Sequence, residues 1–276
     1  MESLVIPANG CSLQEICDVL QRGYSDYAVQ IDWNPSMLLD MIRLYQVDLR
    51  CSFLLQCGGK NVGCILMGRR GRRSRLSAFC IQPSHRQNLG GRELLNHMLK
   101  EARERGDSHI ELEVLVDNFP AIHLYEEYGF RAVDDLVSYT FPPPTEQPHN
   151  IPTLREVTIE EVAETMLMYE APMLPWQIAP ETLFHMTPPY EAYRLREGWC
   201  LLTRTEKQVT LRAFFVTPEH QRQGVGRELL TAIRHRYPSC SLHIPALFPA
   251  SLYRGFCEAL GAKYGSFRQH YMQLVF

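Results

Sequence analysis

Apolar residues recur every three to four positions in two opening stretches, Leu13, Ile16, Cys17, Leu20 and Tyr24, then Leu38, Leu39, Ile42 and Tyr45. That spacing predicts helices over residues 12–27 and 35–47. The pattern then changes to short apolar runs at 51–56, 62–68 and 75–81, divided by Gly58-Gly59-Lys60-Asn61 and by a turn over 68–74. Such runs predict a meander of strands. A helix over 91–105 stopped by Gly106, a strand over 110–116, a helix over 119–128 stopped by Gly129 and a strand over 130–141 complete the first half.

Residues 142–152 hold five prolines, which remove backbone donors and fix φ, so this stretch is read as a linker. Beyond it the order recurs: a helix from about residue 158, an irregular stretch over 172–189, strands over 199–203 and 209–216, a helix, a strand over 241–244, a helix and a strand over 264–275. A sequence repeat supports the structural one. His85-Arg86-Gln87-Asn88-Leu89-Gly90-Gly91-Arg92-Glu93-Leu94-Leu95 aligns without a gap on His220-Gln221-Arg222-Gln223-Gly224-Val225-Gly226-Arg227-Glu228-Leu229-Leu230. Two domains follow, 1–141 and 153–276, joined by 142–152.

At 276 residues and 45% hydrophobic content the chain can build two cores, and a net charge of −3 gives no global basic field. No stretch of about 18 uncharged apolar residues occurs, and the N-terminus lacks a basic leader, so a cytoplasmic protein without membrane contact is expected. The nine cysteines form no Cys-x-x-Cys pair and no cluster with histidine at ligand spacing, so no metal is expected. Both repeat loops are basic and glycine-bearing, and each opens onto a helix whose first N–H groups and dipole suit a pyrophosphate. A phosphorylated cofactor is the first expectation.

The loop, placed between a strand and a helix, resembles that of the GNAT superfamily of N-acetyltransferases, and the similarity runs along the whole chain as two tandem copies. The resemblance implies an α/β (mixed α+β) fold of two GNAT-like domains, each a mainly antiparallel twisted sheet flanked by helices. It also implies acetyl-CoA as cofactor. In the first copy the cofactor contacts would come from Cys80, Ile81 and Gln82 at the strand end, from the loop Arg86, Gln87, Asn88, Leu89, Gly90, Gly91 and Arg92, and from Asn118. The second-copy loop comprises Val216, Gln221, Arg222, Gln223, Gly224, Val225 and Gly226. Its glycine pattern is complete, whereas Leu89 stands in place of the first glycine of the first copy.

Residues 113–130 resemble the closing GNAT segment, in which Asn118 starts a helix, a tyrosine lies seven residues on and Gly129-Phe130 ends it. By that likeness, Glu113 is the general base and Tyr125 the general acid, a pair spaced as in ribosomal-protein N-terminal acetyltransferases. The residue types suit the chemistry: an alkylammonium must lose a proton before attack, and a departing thiolate must gain one. Each also has a plain structural reading, Tyr125 as a packing aromatic and Glu113 as a solvated strand residue. Aligning Gly261 on Gly129 puts Cys257 where the acid should be, so catalysis is expected in the first copy.

Tyr24, Asp26 and Tyr27 fall where the family forms its acceptor pocket, although a turn role fits Asp26 as well. Arg69-Arg70-Gly71-Arg72-Arg73-Ser74-Arg75 is read as a solvated hairpin tip rather than a nucleic-acid patch. The expected function is acetyl-CoA-dependent transfer to a primary amine, on a small molecule or peptide, by direct transfer in a ternary complex. Two alternatives are a catalytically silent acyl-CoA-binding or scaffolding protein and an enzyme working from the second copy.

Overall fold

A computed structural model describes residues 3–27, 31–86, 90–145, 151–169 and 174–276. Gln87, Asn88 and Leu89 of the first loop lie outside the described residues, as do parts of the linker and of the 172–189 stretch. The chain divides into two compact units, one of residues 1–114, 118–132 and 272–276, the other of 115–117 and 133–271.

In the first unit, strand β1 (Ser3–Pro7) leads into helices α1 (Leu13–Gly23) and α2 (Pro35–Tyr45). Ser12 starts α1 through a capping box with Glu15, and Asn34 caps α2 ahead of Pro35, so both helix starts are fixed by local side chains. Strands β2 (Phe53–Cys57), β3 (Lys60–Arg70) and β4 (Arg73–Ile81) form the meander. Helix α3 (Gly90–Glu104), strand β5 (His109–Leu115), helix α4 (Phe119–Glu127) and strand β6 (Arg131–Phe141) follow. The unit's strands lie in the order β1-β2-β3-β4-β5. β4 and β5 are parallel, the other neighbours antiparallel.

Strand alternation puts a different core on each face of this sheet. On one face Phe53, Leu55, Ile65, Leu76, Ile81, Leu112 and Val114 pack with Leu94, Leu95 and Met98 of α3 and with Tyr125 of α4. On the other, Leu54, Cys64, Leu66, Ala78 and Cys80 pack with Ile16, Val19 and Leu20 of α1 and with Leu38 of α2.

The second unit repeats the plan with β7 (Arg155–Val157), α5 (Ile159–Met168), the short α6 (Pro180–Leu183), β8 (Glu191–Leu195), β9 (Gly198–Arg204) and β10 (Gln208–Val216). It continues with α7 (Val225–Arg236), β11 (Ser241–Ile244), α8 (Ala250–Ala259) and β12 (Lys263–Val275). Residues 133–141 of β6 belong to this unit, where they pair antiparallel with β11. Met272 and Leu274 near the end of β12 belong to the core of the first. Among the described residues no helix is long and apolar enough to cross a membrane.

Candidate active site

β4 and β5 begin side by side and then part. Their parallel pairing covers Arg73↔His109, Ser74↔Ile110 and Arg75↔Glu111, whereas the strands run on to Ile81 and Leu115. A bulge lies where they separate, the register of β3 on β4 shifting so that Ser77 is the extra residue. The parting leaves one edge of β4 open. Gln82 N–H donates to the Val62 carbonyl at 2.8 Å, so Cys80 and Gln82 turn their backbone groups to β3, while Phe79 and Ile81 turn theirs to the open edge.

The loop beyond β4 is tied back to this edge. Arg86 Nε donates to the Ile81 carbonyl at 2.9 Å, its Nη2 donates to the Gly23 carbonyl at 2.8 Å, and Nη1 and Nη2 form a bidentate pair with Asp26 at 2.7 and 2.8 Å. Hydrogen bonding to Arg86 is the first cause holding the Asp26 carboxyl below the usual carboxylate range. Two residues predicted for different ligands thus bind one another. Gly90 opens α3 in close contact with β2: a Cβ there would stand 2.6 Å from Leu55 Cδ2. Gly91 is roomier, its nearest neighbours being Phe79 and Ile81 at 3.6 and 3.7 Å. Arg92 pairs with Glu127, and the Gln82 side chain donates to the Asn61 carbonyl.

Asn118 accepts from Ala121 N–H at 3.4 Å and so caps α4, which aims Tyr125 into the core on the α3 face. The Tyr125 ring lies 6.3 Å from Phe79 and 5.7 Å from Phe130. Its hydroxyl has no hydrogen-bond partner among the described residues, and burial first, then the nearby Tyr27, push its pKa well above the usual value. Tyr24 is partly buried; its ring stands edge-on to Tyr27 at 5.2 Å and stacks on Trp33 at 5.8 Å. The Trp33 indole nitrogen is buried without a partner. Tyr24, Tyr27, Tyr125 and Phe79 therefore converge beside the open edge; Phe79 and Trp33 were not singled out from sequence. Phe79 shares strand parity with Ile81, a signal that could have found it.

Glu113 lies on the opposite face of β5 from Leu112 and Val114. Arg75 holds both its oxygens, with Nη2–Oε2 at 2.6 Å, Nε–Oε2 at 2.9 Å and Nε–Oε1 at 3.3 Å. The pair is buried, with side-chain exposures of 5% and 4%, and the guanidinium lies over the Tyr45 ring. Other arginines of the basic run are similarly engaged: Arg70 with Gln46, Arg72 with the Gly106 carbonyl, Arg73 with Glu111. Burial pushes the Cys80 thiol up to about 12.

In the second unit β10 and β11 also part, after Thr210↔His243, with Arg212 as the extra residue. Gln221 Nε2 donates to the Val216 carbonyl at 3.0 Å, repeating the tie of Arg86 to Ile81. Arg222 and Gly224 take positive φ, and Gln223 donates to the Glu219 carbonyl. Val225 is buried at the start of α7, and Gly226 lies under the rings of Phe256 and Phe214. The open edge is filled here by α8, whose Tyr253 hydroxyl donates to the Phe214 carbonyl at 2.9 Å while Phe256 packs on Phe214 at 5.5 Å. Cys257 is buried, its thiol pushed up to about 12.

A strand, a glycine-bearing loop and a helix beside a parted sheet recur in the two units, and comparison with known proteins defines the class. The model of the Acetyltransferase (GNAT) family matches residues 13–130 and 176–248, and the chain belongs to that family. Over 50 residues it is 48% identical to streptothricin acetyltransferase of Streptomyces lavendulae, a match that covers 18% of this chain and 26% of that relative's length. Among solved structures, a tandem GNAT protein from the clavulanic acid biosynthesis pathway superposes with a TM-score of 0.64 at 15% identity, covering 99% of this chain and 98% of that one. A putative acetyltransferase from Pyrococcus horikoshii gives 0.65 at 12% identity, over 99% and 89%. These likenesses show the tandem GNAT fold.

Proposed function

We propose that the chain is an acetyl-CoA-dependent N-acetyltransferase whose first unit binds the cofactor and transfers its acetyl group to a primary amine. The observation that carries this reading is Tyr125 of α4, buried beside Phe79 where β4 and β5 part, against the buried Cys257 at the matching place in α8 of the second unit. The residues fit the cofactor's chemistry: the start of α3 suits its phosphates, and the Ile81 N–H, turned to the open edge, suits an amide carbonyl of its arm.

Acetyl-CoA supplies an activated thioester, whose acyl carbon bonds to the amine nitrogen as its C–S bond breaks. Tyr125 keeps its proton at neutral pH because burial disfavours the phenolate, so it serves as the acid that protonates the departing sulfur. The amine's proton passes to solvent, and solvent returns a proton to Tyr125, whose phenolate burial disfavours. Glu113 acts in this reading as the fixed partner of Arg75 rather than as the base, since neither carboxylate oxygen is released from the guanidinium. Direct transfer is favoured over an acyl-cysteine route because the Cys80 thiol, raised to about 12, holds too little thiolate to attack. The acceptor enters beside Tyr24, Tyr27 and Trp33, whose ring faces suit a cationic amine; Asp26, bound to Arg86, supports the loop. The test is acetyl transfer from acetyl-CoA to a panel of small amines and N-terminal peptides by the wild-type protein and by Tyr125→Phe. Transfer that survives intact in Tyr125→Phe would contradict the assignment.

A further inference from the structure

Three of the four backbone groups that β4 turns to its open edge at Phe79 and Ile81 already have partners. Phe79 N–H donates to Tyr24 Oη at 3.0 Å, the Tyr24 hydroxyl donates to the Phe79 carbonyl at 3.1 Å, and the Ile81 carbonyl accepts from Arg86. Among the described residues the Ile81 N–H alone remains. One phenol oxygen thus does for Phe79 what a residue of a neighbouring strand does in a closed sheet.

A ligand held by its phosphates at the start of α3 reaches its sulfur through about thirteen bonds, on the order of 15 Å when extended at ~3.5 Å per three bonds. Ile81 and Phe79 are separated by about 7 Å along the strand. In the proposed site an arm that runs along this edge and pairs with the Ile81 N–H meets next the Phe79 N–H, where the Tyr24 hydroxyl sits. The two cannot both hold the Phe79 N–H. In the second unit the hydroxyl at the matching carbonyl belongs to Tyr253, which is wedged against Phe248 at 5.0 Å within a packed aromatic group. Tyr24 instead follows α1 directly and contacts the acceptor-side rings of Tyr27 and Trp33.

Resting on the proposed acetyl-CoA site of the first unit, we propose that the Tyr24 hydroxyl stands in for the acyl carbonyl. It holds the Phe79 N–H in the free protein and yields it when an acyl thioester seats, so Tyr24 sets how strongly the site prefers acyl-CoA to free CoA. Removing the hydroxyl leaves the Phe79 N–H buried and unpaired in the free state, and an acyl carbonyl then restores a partner that free CoA lacks.

The experiment is calorimetric titration of the full chain, wild type and Tyr24→Phe, with acetyl-CoA and with CoA; phenylalanine keeps the ring against Tyr27 and Trp33. Acetyl-CoA is expected to bind Tyr24→Phe about threefold to tenfold more tightly than wild type, with CoA changed less than about twofold. An acetyl-CoA to CoA preference that is unchanged or reduced in a folded Tyr24→Phe protein overturns the proposal. Tyr24→Leu, read the same way, serves if the first variant does not fold. Wild-type protein that binds neither form removes the site itself, an outcome distinct from an unchanged preference.

Discussion

Arg86 donates from Nε to the carbonyl of Ile81, five residues earlier, at 2.9 Å. In the second unit Gln221 and Val216 make the same contact at 3.0 Å. The first defining position of the loop is therefore a clasp that folds the loop back on its strand, which explains why arginine and glutamine are interchangeable there. Arg86→Gln should keep the Ile81 bond and hold acetyl-CoA affinity within about threefold, whereas Arg86→Ala, which also strands the Gly23 carbonyl, should cost about 1–3 kcal/mol of stability. Denaturant titration with calorimetry on both variants checks this. Asp26, whose pKa is lowered by Arg86, supports the clasp above about pH 4, and that support fades as the pH falls through the lowered value.

Tyr125→Phe should reduce turnover by ~10²-fold or more while acetyl-CoA affinity stays nearly constant, because only a proton donor is lost. Since burial raises the Tyr125 pKa above its usual value near 10, kcat/KM in the wild type should climb as the amine deprotonates and show no decline below about pH 10. A bell-shaped profile with an alkaline limb near pH 8 would assign the acid to another group.

Glu113→Gln should destabilise the first unit by about 3–5 kcal/mol, since it leaves the Arg75 charge buried without its partner. Replacing both residues, Arg75→Met with Glu113→Leu, should recover most of that loss. Retained stability in Glu113→Gln, together with a turnover deficit, would restore Glu113 to the role of base.

Gly90→Ala brings its Cβ to 2.6 Å from Leu55, and Gly91→Ala meets only ordinary contacts. The first should cost about 1–3 kcal/mol and the second little, as thermal unfolding of the two variants will show.

The repeat, the loops and the 113–130 segment were legible because each is local: a capping asparagine, a helical period and a stopping glycine lie within a few residues of one another. β7 escaped because a strand of three residues is too short to display a period, whereas β1 and β8, of five residues each, were missed although β2 and β11 are no longer than these. The assignment of 133–141 to the second unit and of 272–276 to the first depends on pairing between distant segments, which hydrophobic pattern does not encode. The same holds within the site. Tyr24 meets Phe79 across 55 positions, Arg86 meets Asp26 across 60 and Arg75 meets Glu113 across 38. Sequence supplied the residue types, but which of them neutralise each other emerged only in the fold.

The central claim, that the first unit holds acetyl-CoA and the second does not, is tested most directly by amide hydrogen exchange with and without the cofactor. The expected result is slowed exchange over residues 79–99, covering the end of β4, the loop and most of α3, with residues 214–233 unchanged. Protection of 214–233 with 79–99 unchanged would contradict it and move the cofactor to the second unit.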